Sequence, residues 1–283
     1  MQTLHTIDEL HRALDGSYRS KAKIGFVPTM GALHKGHLSL IDRSKAETDI
    51  TVACIFVNPT QFGPTEDFDR YPRPIEHDTA LLTESGVDLL FYPSADQIYP
   101  TKGPHSTKVY VPELSQRLCA LTRPTHFEGV TTVVAKLFNI VRPTHAFFGL
   151  KDFQQFVLIR QMAKDLHFPI QLIGCDTIRE SDGLAMSSRN RYLSDTQRKS
   201  APILYQTLCL GKTLFHTGEH RADRLLAEMN ALLSTAPDMI PDYLEIVDSE
   251  TLLPVKTVTS KHRMVVAVKC GPSRLIDNMR FES

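Results

Sequence analysis

The amino-acid sequence predicts an α/β protein: a doubly wound parallel sheet followed by a smaller C-terminal α+β domain. Three observations carry this. Near-continuous apolar runs at 24–27, 49–57, 88–92, 144–148 and 170–177 read as strands covered on both faces. Between them lie stretches with apolar residues at helical spacing, so strand and helix alternate. After Arg179 the composition shifts to hydroxyl and turn residues, and helices are followed by strands.

Thr6 and Glu9 form a capping box; Ile7, Leu10 and Leu14 then share one face, and Gly16 is expected to end a short helix. The strand at 24–27 leads through a Gly-containing turn into a helix that begins around Leu38-Ser39-Leu40-Ile41. The run 49–57 stops at the polar, proline-containing Asn58-Pro59-Thr60-Gln61. A helix at 75–85 returns to the strand at 88–92, which completes βαβαβ. Residues 99–105 read as an irregular insertion, 107–111 as a short strand and 123–129 as a loop. Val134, Leu137, Phe138 and Val141 predict a helix over 131–141. The strand at 144–148 ends at Gly149-Leu150-Lys151-Asp152 before a helix at 153–166, a second strand-turn-helix crevice. Ser194 and Gln197 cap a helix running to about residue 216 with Gly218 as its stop. A helix at 221–233 and strands at 243–247 and 264–268 complete the chain. The domain boundary is placed between 178 and 179.

Composition narrows the function. The 283 residues carry 32 basic and 32 acidic side chains, a formal net charge of zero, with no basic stripe of the kind a nucleic-acid binder presents. The five cysteines are scattered and none forms a Cys-x-x-Cys pair, which argues against zinc or a disulfide framework. No basic and apolar leader opens the sequence, and no run of eighteen apolar residues occurs. A soluble, cytoplasmic chain without membrane contact is expected.

The chemistry gathers at strand ends. His34 and His37, three residues apart, flank Gly36, which lets a phosphate chain approach the positive end of a helix. Two imidazoles there can donate to bridging oxygens of a leaving pyrophosphate. Lys151 and Arg189 supply cations, Ser187 and Ser188 hydroxyls, and together these suit a polyphosphate. Neither a Gly-x-x-x-x-Gly-Lys-Ser/Thr loop nor a Gly-x-Gly-x-x-Gly fingerprint is present.

These blocks have a counterpart. His-x-Gly-His after the first sheet strand, with a Ser-rich loop after the last, resembles the nucleotidyltransferase superfamily. More closely, Pro28-Thr29-Met30-Gly31-Ala32-Leu33-His34-x-Gly36-His37 resembles the signature of the pantoate–β-alanine ligase (pantothenate synthetase) family. The likeness continues through Phe56-Val57-Asn58-Pro59-Thr60-Gln61-Phe62, Tyr71-Pro72-Arg73, and Phe127 to Val134. Phe148-Gly149-x-Lys151-Asp152-x-Gln154-Gln155 and Asp182 to Asn190 complete it, in family order over 24–193. One departure stands out: the family usually has a polar residue where this chain has Leu150.

The resemblance implies a Rossmann-like nucleotide- and pantoate-binding domain at 1–178 and a smaller lid domain at 179–283. It implies a two-step, Mg²⁺-assisted reaction with ATP as a substrate. The pantoate carboxylate attacks the α-phosphate to give pantoyl adenylate and pyrophosphate; the β-alanine amine then displaces AMP. By the same resemblance, His34, His37, Lys151 and Arg189 are catalytic, with His37 as proton donor. Met30, Gly31, Ala32, Leu33, Lys35, Gly36, Gly149, Leu150, Asp152, Ile178, Met186, Ser187 and Ser188 join them around the nucleotide, Leu150 through its backbone. Asn58, Gln61 and Gln155 meet the substrates, and no residue is assigned to a metal. A homodimer through the first domain is also implied. Two rivals share parts of the pattern: a nucleotidyltransferase that moves AMP onto a phosphate monoester, and a nucleotide-binding regulatory module without turnover. The first would need cations where this chain offers Gln61 and Gln155; the second would tend to have lost one of the phosphate ligands.

Overall fold

The computed structural model describes every residue except 65, 102, 104, 105 and 283. The chain divides into two compact units, Met1–Leu150 with Gln155–Asp176, and Lys151–Gln154 with Thr177–Ser283.

The first unit holds six parallel strands, β1 (Gln2–Leu4), β2 (Ile24–Thr29), β3 (Ile50–Ile55), β4 (Leu89–Phe91), β5 (His145–Gly149) and β6 (Gln171–Cys175), in the order β1-β4-β3-β2-β5-β6. The chain winds outward from β2 through β3 to β4, then returns to β5 on the other side of β2. The switch point therefore lies between β2 and β5, where open α/β sheets bind ligands. These two strands pair only at Gly25–His145 and Phe26–Ala146, so their carboxyl ends are free to part. Helices α1 (Ile7–Ser20), α2 (Lys35–Glu47), α3 (Ile75–Glu84), α4 (Ala95–Ile98), α5 (Cys119–Thr122), α6 (His126–Val141) and α7 (Phe153–Asp165) connect or follow the strands. Phe26, Leu90, Phe91, Phe138 and Phe147 are fully buried in the core.

Several elements differ from expectation. Gly16 does not end α1; a Cβ there would meet open space, and Lys21 closes the helix with φ 57°. Within a surface helix a glycine costs only about 1 kcal/mol, which an otherwise well-capped helix absorbs. Residues 107–111 form no strand, because the Val109 N–H donates to Thr132 Oγ1 and its carbonyl accepts from Thr131 Oγ1. Helix α6 begins at His126, inside the stretch expected to be loop. The insertion expected over 99–105 includes residues 102, 104 and 105, which lie outside the described residues.

The second unit holds an antiparallel sheet, β7 (Ile240–Asp248), β8 (His262–Cys270) and β9 (Ser273–Arg280), in sequence order. Helices α8 (Asp195–Ser200), α9 (Ile203–His216) and α10 (Ala222–Leu233) belong to it. Leu204, Leu208, Leu225, Met229, Met264, Val266 and Phe281 make its core. The single helix expected after Ser194 is two, split at Ala201 and Pro202, since proline has no N–H to continue the ladder. Strand β9 was not expected from its sequence. Its inward Asp277 breaks the apolar alternation and pairs with Arg179 at 2.6 Å.

Candidate active site

Strand β2 delivers the histidine turn to the carboxyl edge of the sheet. Gly31 (φ 79°) and Ala32 (φ 51°) reverse the chain. A Cβ on Gly31 would lie 2.9 Å from Asp78 Oδ2, so only glycine fits. Asp78, on α3 and 1% exposed, accepts the Ala32 N–H at 2.7 Å and the Leu33 N–H at 2.8 Å. This buried carboxylate holds the left-handed Ala32 in place. Sequence reasoning passed over it; the signal was an acid on the inward face of α3, in step with Leu82.

His34 lies one residue before α2, as its N-cap, with His37 at the third helical position. The two side chains cap each other's backbone. His34 Nδ1 accepts from Gly36 N–H at 3.1 Å, and His37 Nδ1 accepts from His34 N–H at 3.3 Å. An imidazole nitrogen that accepts has no hydrogen, so in both neutral rings the hydrogen sits on Nε2. The ring centroids are 4.1 Å apart, giving two neighbouring N–H donors at a helix N-terminus. Gly36 is half-buried between them and Lys35 is exposed.

The loop after β3 is more tightly held. Asn58, 1% exposed, caps a 3-10 turn at Pro59–Gln61. Gln61 Oε1 accepts from Asn58 Nδ2 at 3.1 Å, and Gln61 Nε2 donates to Met30 Sδ at 2.9 Å. That last bond joins this loop to the histidine turn. The first turn of α6 is the platform beneath it. A Cβ on Gly129 would stand 2.4 Å from the Thr60 carbonyl, so glycine permits the approach. His126 Nδ1 donates to the Gln61 carbonyl at 2.8 Å. Arg123 grips Glu66 at 2.7 and 2.6 Å. Burial works against the charge on Glu66, but the Arg123 bonds prevail and hold its carboxyl below the ordinary value of 4.5.

Past β5, Gly149 is followed by Leu150, whose buried side chain packs over Gly174; a Cβ there would lie 2.6 Å from Leu150 Cδ2. The side chain points into the core, which leaves only its backbone for a ligand. Gln155 is half-buried in the first turn of α7.

Within the second unit, the Lys151 carbonyl accepts from Asn278 Nδ2 at 2.9 Å, and the Arg263 guanidinium sits 4.0 Å over the Phe153 ring. Lys151 is half-buried and Asp152 exposed. Ile178 and Met186 are joined by a backbone bond of 3.0 Å. Ser187 caps the 3-10 turn Ser188–Tyr192 by accepting from Arg189 N–H at 3.3 Å. Met186, Ser187, Ser188 and Arg189 are all half-buried.

Among the described residues no group of three or more His, Cys, Asp or Glu converges on a metal-sized site. Burial pushes the Cys175 thiol up to about 11, and that of Cys54 higher still, which disarms both as nucleophiles. No helix among the described residues is long and apolar enough to cross a membrane.

The family model described as pantoate-beta-alanine ligase matches residues 2–280. The chain belongs to the pantoate–β-alanine ligase family. A pantothenate synthetase of Thermotoga petrophila is 49% identical over 98% of this chain and 99% of its own length. The crystal structure of the Thermus thermophilus pantothenate synthetase matches with TM-score 0.94 at 45% identity, covering 100% of both chains. A Francisella tularensis pantoate-beta-alanine ligase, complexed with beta-gamma ATP and beta-alanine, matches with TM-score 0.80 at 34% identity, over 100% of this chain and 98% of that one. Family membership makes the chain an ATP-using ligase of pantothenate biosynthesis.

Proposed function

We propose that the family's reaction, joining pantoate to β-alanine at the expense of ATP, is carried out here by the histidine turn, the Gln61 loop and the Lys151 and Ser187–Arg189 segments. The observation that supports this most is the reciprocal capping of His34 and His37. It engages both Nδ1 atoms as acceptors, so each ring carries its hydrogen on Nε2. In the first step a pantoate carboxylate oxygen bonds to the α-phosphorus as the bond to the bridging oxygen breaks. The leaving pyrophosphate gains negative charge, and both imidazoles are hydrogen-bond donors toward it. His37, on the helix proper, where the resemblance implied a proton donor, acts here as a neutral hydrogen-bond donor through Nε2–H, because its Nδ1 already accepts from the backbone. Lys151 and Arg189, with Ser187 and Ser188, neutralise the β- and γ-phosphates.

Met30 to Gly36, Gly149, the Leu150 backbone, Asp152, Ile178 and Met186 surround the rest of the nucleotide. Gln61 and Gln155 orient pantoate with neutral groups, and Asn58 supports that pocket. A lysine there would stabilise the ground-state carboxylate and blunt its attack. In the second step the β-alanine amine bonds to the acyl carbon and AMP departs, with no covalent bond to the protein. Catalysis is positioning and electrostatics. The second unit serves as a lid over the acyl adenylate, shielding it from water.

Mg²⁺ enters on the phosphates of ATP, as part of the nucleotide substrate, which suits a metal that keeps few protein ligands. We also infer a homodimer; Tyr110 (42% exposed) and Leu121 (72% exposed) in the first unit offer apolar surface for it. Sedimentation of the purified chain tests that, and a monomer at micromolar concentration overturns it. The chain is expected to work in the cytoplasm.

The deciding assay measures AMP with ATP, Mg²⁺, D-pantoate and β-alanine, leaving out each in turn. AMP only when all four are present supports the reading, and pyrophosphate without β-alanine would locate the adenylate step. AMP production that needs no pantoate overturns it.

A further inference from the structure

Asn58 cannot be a substrate ligand in the ordinary sense, because protein groups already fill its amide. Its Oδ1 accepts from Tyr99 Oη–H at 2.8 Å, from Thr60 Oγ1–H at 3.0 Å and from Thr60 N–H at 3.3 Å. The Thr60 N–H can only donate, so it fixes this end of the amide as oxygen, and the two hydroxyls orient their hydrogens to match. Nδ2 must then point the other way, where it donates to the Gly129 carbonyl and to Gln61 Oε1, both at 3.1 Å. An amide has two N–H hydrogens, and both are used.

The consequence passes to Gln61. Its oxygen is held toward Asn58, so its NH₂ group faces the other way. One hydrogen goes to Met30 Sδ at 2.9 Å. The second is the group that a ligand between Gln61 and the histidine turn would meet. Gln61 is 8% exposed, so water competes poorly for that hydrogen. The backbone beneath is pinned separately, by His126 on the Gln61 carbonyl.

We propose that Tyr99, through Asn58, is a positioning and specificity-determining residue: it steadies the Asn58 amide that holds Gln61 as a donor, so that the site selects an anionic oxygen of the acid substrate. This rests on the assignment of Gln61 to pantoate. Tyr99 suits the task. Burial pushes its hydroxyl up, so it remains a donor well above neutral pH. Its ring is braced by Phe56, at 6.3 Å between centroids, and by the Lys136 ammonium at 5.3 Å. Without the hydroxyl, the Thr60 N–H and the Gly129 carbonyl still set which way the Asn58 amide faces, but its shortest bond is gone, and its hold on Gln61 Oε1 loosens.

The test is steady-state kinetics of the full chain with ATP, pantoate and β-alanine for Tyr99→Phe, Gln61→Ala and the double variant. Tyr99→Phe is expected to raise the pantoate KM roughly three- to tenfold, the equivalent of about one net hydrogen bond. The ATP KM and the melting temperature should stay near wild type. The double variant should match Gln61→Ala alone in pantoate KM, since residues acting through one another are not additive. A merely structural role for Tyr99 would instead add its effect to that of Gln61→Ala and would move the ATP KM as well. If Gln61→Ala raises the pantoate KM but Tyr99→Phe leaves it within twofold, the relay is overturned while Gln61 keeps its assignment. If Gln61→Ala itself leaves the pantoate KM unchanged, the assignment falls, and the relay with it. Asn58→Asp gives a second handle. It retains every acceptor contact to Tyr99 and Thr60 but can no longer donate to Gln61, and it should exceed Tyr99→Phe in its effect on pantoate.

Discussion

The histidine turn of the first unit and the Ser187–Arg189 turn of the second, for which we propose comparable chemistry, are built differently. In the first, polar groups are held by buried partners far away in sequence. Asp78 fixes Ala32 and Leu33 across 46 and 45 positions, and His126 fixes Gln61 across 65. In the second, most of the bonds that shape the turn are short in sequence: Ser187 to Arg189, Asn190 to Ser187, and Asn190 to Ala185, while Ser273 Oγ, 84 positions away, reaches the Arg189 carbonyl at 3.4 Å. The difference suits two tasks. Donors to a developing charge work best when they need not reorganise during reaction. Groups that neutralise a flexible triphosphate can adjust as it enters.

The comparison breaks most easily at His37. His37→Ala removes one of two fixed donors and is expected to lower the adenylation rate roughly 10²–10³-fold, read as pyrophosphate release without β-alanine. Folding should survive, because His34 still caps α2 through Gly36. A variant within tenfold of wild type would mean that the fixed donors do not act on the leaving group.

Asp78→Asn comes next. The amide oxygen can serve one of the two backbone donors, but its NH₂ then faces the other, leaving a buried N–H unmatched. Such a group costs about 1–3 kcal/mol. In a chain of this size that lowers Tm by several degrees, since each kcal/mol moves it about 2–4 °C. The rate should fall too, because Ala32 at φ 51° loses its restraint. Calorimetry beside the pyrophosphate assay reads both. Loss of Tm with an unchanged rate would confine Asp78 to folding.

How much of this was legible follows from range. His34, His37, Lys151 and Ser187–Arg189, the residues proposed for the site, stand out through residue type and local spacing. The strands of the parallel sheet do so through continuous apolar runs, apart from β1, which is three residues long and carries no period. Asp78 and His126 act across dozens of residues; a local pattern marks Asp78 as an acid on an inward helix face, but it does not name the distant partner. Strand β9 was hidden because its buried positions include the adjacent Asp277 and Asn278, on opposite faces, whose burial is tolerable only with Arg179 and Arg263 as partners. The split between α8 and α9 was legible all along, in Pro202.

The platform under Gln61 makes a smaller, pH-dependent prediction. The carboxyl of Glu66 titrates below its ordinary value in the folded chain, through Arg123. A depressed carboxylate contributes stability that is complete above 4.5 and is lost as pH falls through the lower folded value. Glu66→Gln removes that contribution. Wild type should therefore exceed the variant in Tm near neutrality, with the gap closing as the pH drops below 4.5. A gap of constant size down to strongly acidic pH would separate Glu66 from the ion pair. The pantoate KM of the variant should rise modestly at every pH.

The smallest effect is expected in the second unit, and it sharpens the contrast most. Ser187→Ala deletes one hydroxyl and the cap of a 3-10 turn whose remaining bonds are intact. A neutral hydrogen bond at a half-exposed site contributes about 0.5–1.5 kcal/mol, equivalent to roughly two- to twelvefold in ATP affinity. Water can take the place of the hydroxyl on the phosphate, and Lys151 and Arg189 keep the charge. The expected result is a raised ATP KM with kcat within about threefold of wild type, the reverse of the His37→Ala pattern. If Ser187→Ala instead lowers kcat by orders of magnitude while leaving the ATP KM alone, the second turn is as fixed in the reacting state as the first. The division between a rigid donor half and an adjustable charge half would then be wrong.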